Sequence, residues 1–248
     1  FSDGGLYNTS SEAVERALAM VDEGADIIDI GGESTRPGAN EVSVAEELER
    51  VIPVVEELAK RTNAWISIDT YKSEVAERAV KAGAHIINDI SGLRFDEDMP
   101  AVAAKYGTPV IVIQGNPRNM QENPVYTDVV NDIKDYFSER IDFLQSQGIK
   151  RNNIVIDPGI GFGKTLEHNL LLLNRTKEFQ TIGCPVMIGV SRKSFLGKIL
   201  DLPPDERLEG TTAAVAVSIM NGAHIIRIHD VREMNRVSRV VDAIVTQI

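Results

Sequence analysis

Short polar side chains close several apolar segments that have the composition of buried strands. Asp69, Asn88 and Asp157 each end a run rich in Ile or Val. Buried polar groups need hydrogen-bond partners, so a ring of them at one rim indicates a polar ligand, the alternative being a network of internal salt bridges. Carboxylate and amide oxygens together suit a flat heterocycle with a guanidine-like donor edge.

Cationic side chains belong to the same predicted rim. Lys193 follows one predicted strand, Arg227 and His229 lie on the next, and Arg36 follows the first. In a chain of formal net charge -11, such a cluster is a local reversal of charge and indicates an anion site. The predicted substrate therefore carries a heterocycle at one end and phosphate at the other.

A glycine-rich segment at residues 158–165 resembles two phosphate-binding motifs but matches neither. Pro158 stands where a P-loop requires its first Gly, and Lys164 stands where the dinucleotide-binding pattern requires its third. The predicted helix that follows still favours an anion at its N-terminus.

Alternating strands and helices must position these side chains. The predicted strands cover residues 26–31, 65–69, 85–89, 109–113, 153–157, 185–190 and 224–229. The predicted helices cover residues 9–23, 43–61, 72–82, 96–106, 125–147, 166–180, 206–221 and 234–246. Such alternation predicts a parallel sheet with its ligand site at the carboxyl ends of the strands.

One structural unit recurs along the chain. Residues 24–29, 83–88 and 222–227 are near copies, in which Gly-Ala follows a helix and opens an Ile-rich strand. We therefore predict a single α/β domain over residues 1–248, a (β/α)8 TIM barrel whose first strand is missing upstream of Phe1. An open sheet of seven strands is the alternative.

The composition of the chain disfavours several classes of function. The sequence pI of about 4.9 disfavours binding to nucleic acid or to an anionic membrane. Cys184 is the single cysteine, which excludes an internal disulfide, and we expect it to be a small buried residue. With no apolar run long enough to span a membrane and no signal-peptide pattern, a cytoplasmic protein is expected.

The motifs resemble those of the dihydropteroate synthase family, in order and over essentially the whole chain. The matching segments are residues 1–5 (FSDGG), 29–38 (DIGGESTRPG), 68–70 (IDT), 87–92 (INDISG), 157–164 (DPGIGFGK), 191–193 (SRK) and 227–231 (RIHDV). The resemblance implies condensation of 6-hydroxymethyl-7,8-dihydropterin pyrophosphate with p-aminobenzoate, Mg²⁺ as cofactor, inhibition by sulfonamides and a homodimer.

The resemblance also implies roles for individual residues. Asp69, Asn88 and Asp157 would hold the pterin, and Lys193 would reach the same ring system. Arg227 and His229 would bind the pyrophosphate and, with Lys193, act in catalysis. The residues implied to border the amine are Thr35, Arg36, Pro37, Phe162, Lys193 and Ser194. Gly161 is also implied to bind substrate.

Two departures from the family pattern keep other functions open. Val112 replaces a familiar His, and the family's Asn on the first strand would lie upstream of Phe1. A methyltransferase acting on methyltetrahydrofolate could share the pterin pocket, and a non-catalytic pterin-binding module is a further alternative. An aldolase or isomerase could use the same fold, although no Schiff-base lysine is evident at mid-strand.

Several other side chains have structural interpretations. His85, His168 and His224 have no second ligand at metal-binding spacing and are expected to be surface or core residues. Trp65, which opens a predicted strand, is expected to pack against neighbouring residues.

Overall fold

The computed structural model of the protein describes residues 10–34, 40–115 and 125–247, within which parallel strands alternate with helices. The strands are β1 (Ile27–Gly31), β2 (Trp65–Asp69), β3 (Ile86–Asp89), β4 (Val110–Ile113), β5 (Ile154–Asp157), β6 (Met187–Gly189) and β7 (Ile225–Arg227). The helices are α1 (Ser10–Asp22), α2 (Val44–Arg61), α3 (Ser73–Ala82), α4 (Met99–Tyr106), α5 (Val129–Ser146), α6 (Leu166–Asn174), α7 (Ser194–Leu200), α8 (Leu208–Met220) and α9 (Val231–Val245). Each predicted strand is therefore present within about two residues of its expected bounds.

The chain forms two compact units, of which the first comprises Phe1–Ile113 and Asp142–Ile154. Its strands β1 to β4 pair side by side in chain order, and each pair is parallel. Ile66, Ile68 and Ile87 are fully buried, because strands covered on both faces must be apolar along their length. The first unit thus presents the ends of four parallel strands at one edge.

The second unit comprises Gln114–Ile141 and Val155–Ile248. A parallel bridge joins Ile156 of β5 to Val186, and β6 then pairs with β7 in parallel, so the order is β5-β6-β7. Phe137 of α5 packs edge-on against Phe179, with both rings fully buried. The single-domain assignment over residues 1–248 stays a prediction.

The predicted repeat is visible in the backbone. Gly24, Gly83 and Gly222 all have positive φ, between 88° and 120°, where other residues are strained. In the second and third copies, the Nδ1 atoms of His85 and His224 each accept a neighbouring strand's N–H at 3.1 Å. These two histidines therefore have structural roles, as predicted.

Trp65 packs against the ring of His85, with 5.5 Å between the ring centroids, while 51% of the residue stays exposed. Two details differ from the sequence prediction. The helix expected over residues 166–180 ends at Asn174 and continues as a 3₁₀ segment, Thr176–Ile182. Helix α7 was not predicted, because seven residues are too few to establish a helical period.

Among the residues that the model describes, no helix combines the length and apolar character needed to cross a membrane.

Candidate active site

Asp69 and Asn88 lie side by side at the carboxyl ends of β2 and β3, where they are register partners. The Asn88 amide donates to both carboxylate oxygens of Asp29, at 3.1 and 3.3 Å. Asn88 is fully buried, and its Oδ1 atom has no hydrogen-bond partner within the described parts of the chain. A buried acceptor without a partner is costly, so this oxygen is suited to a ligand that donates an N–H.

A buried ion-pair network lies beside this cluster in the first unit. The Lys72 ammonium contacts Glu33 at 2.5 Å, Glu47 at 2.6 Å and the carbonyl of Val42 at 2.6 Å. Tyr71 donates its hydroxyl to the second oxygen of Glu33 at 2.7 Å. Burial alone would raise the pKa of Glu33, but the hydrogen bonds from Lys72 and Tyr71 lower it. Through Lys72 the network joins Glu33 to Val42, nine positions further along the chain.

In the second unit, Asp157 ends β5 and begins the glycine-rich loop. Its carboxylate accepts the N–H of Gly159 at 2.8 Å. Burial raises the pKa of Asp157, and the nearby charges of Lys193 and Arg227 oppose that rise. A ligand that donates hydrogen bonds to this carboxylate would favour its charged form.

The glycine-rich loop is fixed from within by Lys164, which is 7% exposed. Its ammonium donates to Gln114 Oε1 at 2.6 Å and to the carbonyl of Gly159 at 2.9 Å. Burial lowers the pKa of Lys164 to about 7, with the Asp157 charge acting in the opposite direction. Gly161 is held by Asn169, whose Oδ1 accepts its N–H at 2.7 Å. The loop is therefore built by internal hydrogen bonds, which agrees with the rejection of both phosphate-binding motifs.

Lys193 follows β6 and lies against the same loop. Its ammonium donates to the carbonyl of Ile160 and stands 4.8 Å from the centre of the Phe162 ring, a cation–π distance. Burial lowers the pKa of Lys193 to about 8. A Cβ atom at Gly189 would come within 3.6 Å of the ammonium and 3.7 Å of Arg227 Cβ, so this glycine leaves room between the two cations.

Arg227 and His229 are neighbours of this cation on β7 and just after it. Arg227 is the register partner of Gly189. Ser191 Oγ accepts the N–H of His229 at 3.2 Å and lies 2.9 Å from His229 Nδ1. The hydroxyl thus fixes both the backbone and the ring of the histidine.

The structure places the predicted site residues in two groups. Asp69 and Asn88 meet in the first unit, whereas Asp157, Lys193, Arg227 and His229 surround the strand ends of the second. Gly161 and Phe162 belong to the loop beneath Lys193, and Ser194 is an exposed residue that begins α7. The predicted residues Thr35, Arg36 and Pro37 lie outside the described residues.

Sequence reasoning missed the residues that support this site. Lys164 and Asn169 build the glycine-rich loop, Ser191 orients His229, and Lys72 joins Glu33 to Val42. Lys164 carried a signal as a lysine inside a glycine-rich motif, and Ser191 belongs to the matching SRK segment. The contacts of Lys72 and Ser191 join positions 25 to 39 residues apart, and Asn169 is an ordinary helix residue type, so spacing alone could not reveal them.

Two further features bear on the family pattern. No group of three or more His, Cys, Asp or Glu residues that could hold a metal ion occurs within residues 10–34, 40–115 and 125–247. Mg²⁺ is usually held by one or two protein carboxylates together with substrate phosphates, rather than by a cluster of protein ligands alone. Val112 is fully buried on β4, so the departure from the family's His is accommodated as an apolar core residue.

Comparison with known proteins agrees with this architecture. The model of the family described as pterin binding enzyme matches residues 1–229. A dihydropteroate synthase of Escherichia coli strain K12 is 51% identical over 98% of this chain and 86% of its own length. The chain also resembles the Yersinia pestis dihydropteroate synthase solved in complex with a sulfonamide drug, with a TM-score of 0.95 and 45% identity over 98% of this chain and 89% of the other.

A third match is the Xanthomonas albilineans dihydropteroate synthase solved with 4-aminobenzoic acid, with a TM-score of 0.91 and 40% identity over 98% of this chain and 88% of the other. The likeness to these solved structures confirms the predicted fold class, an α/β (β/α)8 barrel. The chain belongs to the dihydropteroate synthase family of pterin-binding enzymes.

Proposed function

We propose that this protein is a dihydropteroate synthase, a transferase of folate biosynthesis. It condenses 6-hydroxymethyl-7,8-dihydropterin pyrophosphate with p-aminobenzoate and releases dihydropteroate and pyrophosphate. One observation about Asn88 carries this proposal. Its side-chain NH₂ group donates to Asp29, while its buried Oδ1 atom has no hydrogen-bond partner among the described residues. Such an oxygen is an acceptor prepared for the donor edge of a pterin.

Oxygen acceptors at strand ends would bind the pterin. Asp69 and Asn88 supply oxygens at the ends of β2 and β3, and Asp157 supplies a carboxylate at the end of β5. A buried carboxyl group with a raised pKa is stabilised most by a ligand with two adjacent N–H donors, since these donors favour its charged form. Lys193 supplies the remaining donor to the ring system.

Arg227 and His229 would hold the diphosphate. Their positive charge favours departure of pyrophosphate, which takes the electron pair of the C–O bond to the pterin methylene group. The pterin ring delocalises the positive charge that remains on this carbon. The aryl amine then forms the new C–N bond and releases a proton, so the protein contributes mainly position and electrostatics.

The amine would bind beside the glycine-rich loop. Gly161, Phe162 and Ser194 border Lys193 in the second unit. The family pattern adds Thr35, Arg36 and Pro37. The Xanthomonas relative that was solved with 4-aminobenzoic acid supports this class of substrate. Sulfonamides, one of which is bound in the Yersinia relative, are proposed as inhibitors that mimic this amine.

Three finer assignments complete the proposal. Mg²⁺ would enter with the diphosphate and neutralise part of its charge when bound. Cytoplasmic location is supported by the single buried thiol, Cys184, which is typical of a reducing compartment. A homodimer is supported by apolar side chains on the outer faces of α8 and α9.

The test combines turnover with binding. The protein, dihydropterin pyrophosphate, p-aminobenzoate and Mg²⁺ are expected to yield dihydropteroate, measured by chromatography. Asn88→Leu should lower the rate by about 100-fold or more, because a buried site loses its acceptor. Asn153→Leu is the control: Asn153 donates to the carbonyl of Gly107 at 2.9 Å rather than to a residue of the proposed site, so its loss should leave turnover unchanged.

Pyrophosphate binding distinguishes a synthase from a methyltransferase or a non-catalytic binding module. Calorimetry should show binding that His229→Ala abolishes, as a diphosphate site requires. A protein that binds pterin but neither pyrophosphate nor p-aminobenzoate would contradict the proposal and favour a methyltransferase or a binding module.

A further inference from the structure

Two turns of the second unit are joined by an ion pair that the proposed reaction does not use. Arg192 Nε donates to Asp230 Oδ2 at 3.0 Å, and its Nη2 contacts Asp230 Oδ1, so the pair is bidentate. Arg192 directly precedes Lys193, and Asp230 directly follows His229. The ion pair thus links the backbone positions next to two cations of the site.

The backbone of Arg192 is held in a strained conformation. Its φ is +56°, a region that a side chain as large as arginine rarely adopts. Thr211 Oγ1 accepts the Arg192 N–H at 3.1 Å, and Arg207 donates to the Arg192 carbonyl at 3.0 Å. Both backbone groups of the residue are therefore fixed by buried or partly buried side chains.

The Asp230 side chain contacts Arg192 and does not cap helix α9. It is the N-cap residue of α9, where an aspartate usually accepts an N–H from the first helical turn. Here its side chain makes no such capping bond and instead faces Arg192. A second link, from Ser191 to His229, runs parallel to the ion pair and joins the same two turns.

We infer that Arg192 and Asp230 are positioning residues, which hold the turn bearing Lys193 against the turn bearing His229 at the diphosphate end of the site. Neither residue is assigned a contact with substrate, and the inference rests on the proposed function of Lys193 and His229. A planar guanidinium paired through two bonds fixes both distance and orientation, which a lysine could not do.

The first experiment is hydrogen–deuterium exchange of the ligand-free protein, which is independent of the proposed function. Asp230→Asn and Arg192→Ala should each increase exchange in both segments, residues 191–194 and 229–232. Arg175→Met is the matched control, because Arg175 forms an ion pair with Asp128 at 2.8 Å elsewhere in the same unit. If each variant affects only its own segment, the inference is overturned.

The second experiment measures the consequence for binding. Both variants should weaken pyrophosphate binding about tenfold in calorimetry, and the double variant should be no worse than either single one, since the two residues act as a unit. Affinity for a pterin without the diphosphate should change much less. If the wild-type protein does not bind pyrophosphate, the proposed function fails, while the exchange result still decides the inference.

Arg192→Gly separates the ion pair from the backbone strain. Glycine adopts φ of +56° without cost but lacks the guanidinium, so this variant should be as impaired as Arg192→Ala. Arg192→Lys should recover part of the affinity. Wild-type pyrophosphate affinity in Arg192→Gly would show that only the backbone conformation matters, and would overturn the assignment.

Discussion

At the scale of single residues, buried cations should determine how the second unit responds to pH. The pKa of Lys164 is lowered to about 7 by burial, whereas in the unfolded chain it should be near that of a free lysine, about 10.4. Between these values the unfolded state binds more protons than the folded state, so this group makes the protein more stable as pH rises.

Lys164→Met removes this dependence. The difference in unfolding free energy, wild type minus variant, should increase from pH 7.5 to pH 9.5 by up to about 3 kcal/mol, since one group contributes at most about 1.4 kcal/mol per pH unit. Urea unfolding at both values measures it. Lys198→Met, at an exposed position on α7, is the control and should show no such trend. A constant difference would mean that Lys164 is not desolvated in solution.

The cation of the first unit should behave differently, because Lys72 is paired with two carboxylates. Lys72→Met leaves Glu33 and the fully buried Glu47 without their counter-ion and should lower the unfolding free energy by about 3 kcal/mol at pH 7. Hydrogen bonds from Lys72 and Tyr71 lower the pKa of Glu33, so the stability it contributes is present near neutrality and lost as acid protonates it.

The Lys72→Met defect should consequently shrink as pH falls through the range in which glutamate titrates, near pH 4. Urea unfolding at pH 4.5 and pH 7 tests this. Lys105→Met, which removes a surface partner of Glu77, should change stability little at either pH. A Lys72→Met defect of equal size at both pH values would contradict the electrostatic account.

Residues proposed to bind the substrate carry a clearer signal in the sequence than the residues that support them. Asp69, Asn88 and Asp157 break the apolar composition of buried strands, and the cost of burying a polar group makes such breaks informative. Ser191 and Asn169 occupy loop and helix positions where polar residues are common. Their partners, His229 and Gly161, become apparent only when the fold brings them together.

At the scale of elements, strands were predictable because their signal is local. Continuous β-branched runs between glycine-marked turns identify β1 to β7 from composition and the three-fold repeat. Helix α7 lacks such a signal, since it has seven residues and contains Gly197. Trp65, the first residue of β2, packs on one side against His85 and remains half-exposed, which residue type alone does not predict.

The glycine-rich loop gives a test at this scale, because two of the protein's glycines differ in surroundings but not in conformation. Gly159 and Gly107 have φ of +70° and +63°. A Cβ atom at Gly159 would lie 2.0 Å from the carbonyl oxygen of Gln114, whereas one at Gly107 would have nothing within 4 Å.

Gly107→Ala should therefore cost only backbone strain, about 1 to 2 kcal/mol. Gly159→Ala must also displace the loop from Gln114 and should cost at least about 2 kcal/mol more, with a rise in KM for p-aminobenzoate because Phe162 moves with the loop. Chemical unfolding and steady-state kinetics of both variants measure this. Equal losses in stability would show that the loop is not packed closely against Gln114.

At the scale of the whole molecule, the exposed apolar side chains of α8 bear on the proposed homodimer. A helix that is apolar on all sides is normally buried on all sides. Ala214 and Val215 of α8 are buried, yet Val217 is 44% exposed and Met220 is 62% exposed. On α9, which packs against α8, Val240 and Ile244 are about 60% exposed as well. The proposed homodimer would cover these four residues, which we call the α8–α9 patch.

Analytical ultracentrifugation tests the assembly directly. The wild-type protein should sediment at twice the chain mass of 27.2 kDa at micromolar concentration. Met220→Glu together with Val240→Glu should shift it to a monomer, because two desolvated carboxylates at the centre of an interface raise the dissociation constant by about 100-fold or more. Trp65→Gln, which removes an exposed apolar side chain from the first unit, should leave the dimer intact. A wild-type monomer, or a dimer that persists in the doubly charged variant, would mean that the α8–α9 patch has some other partner.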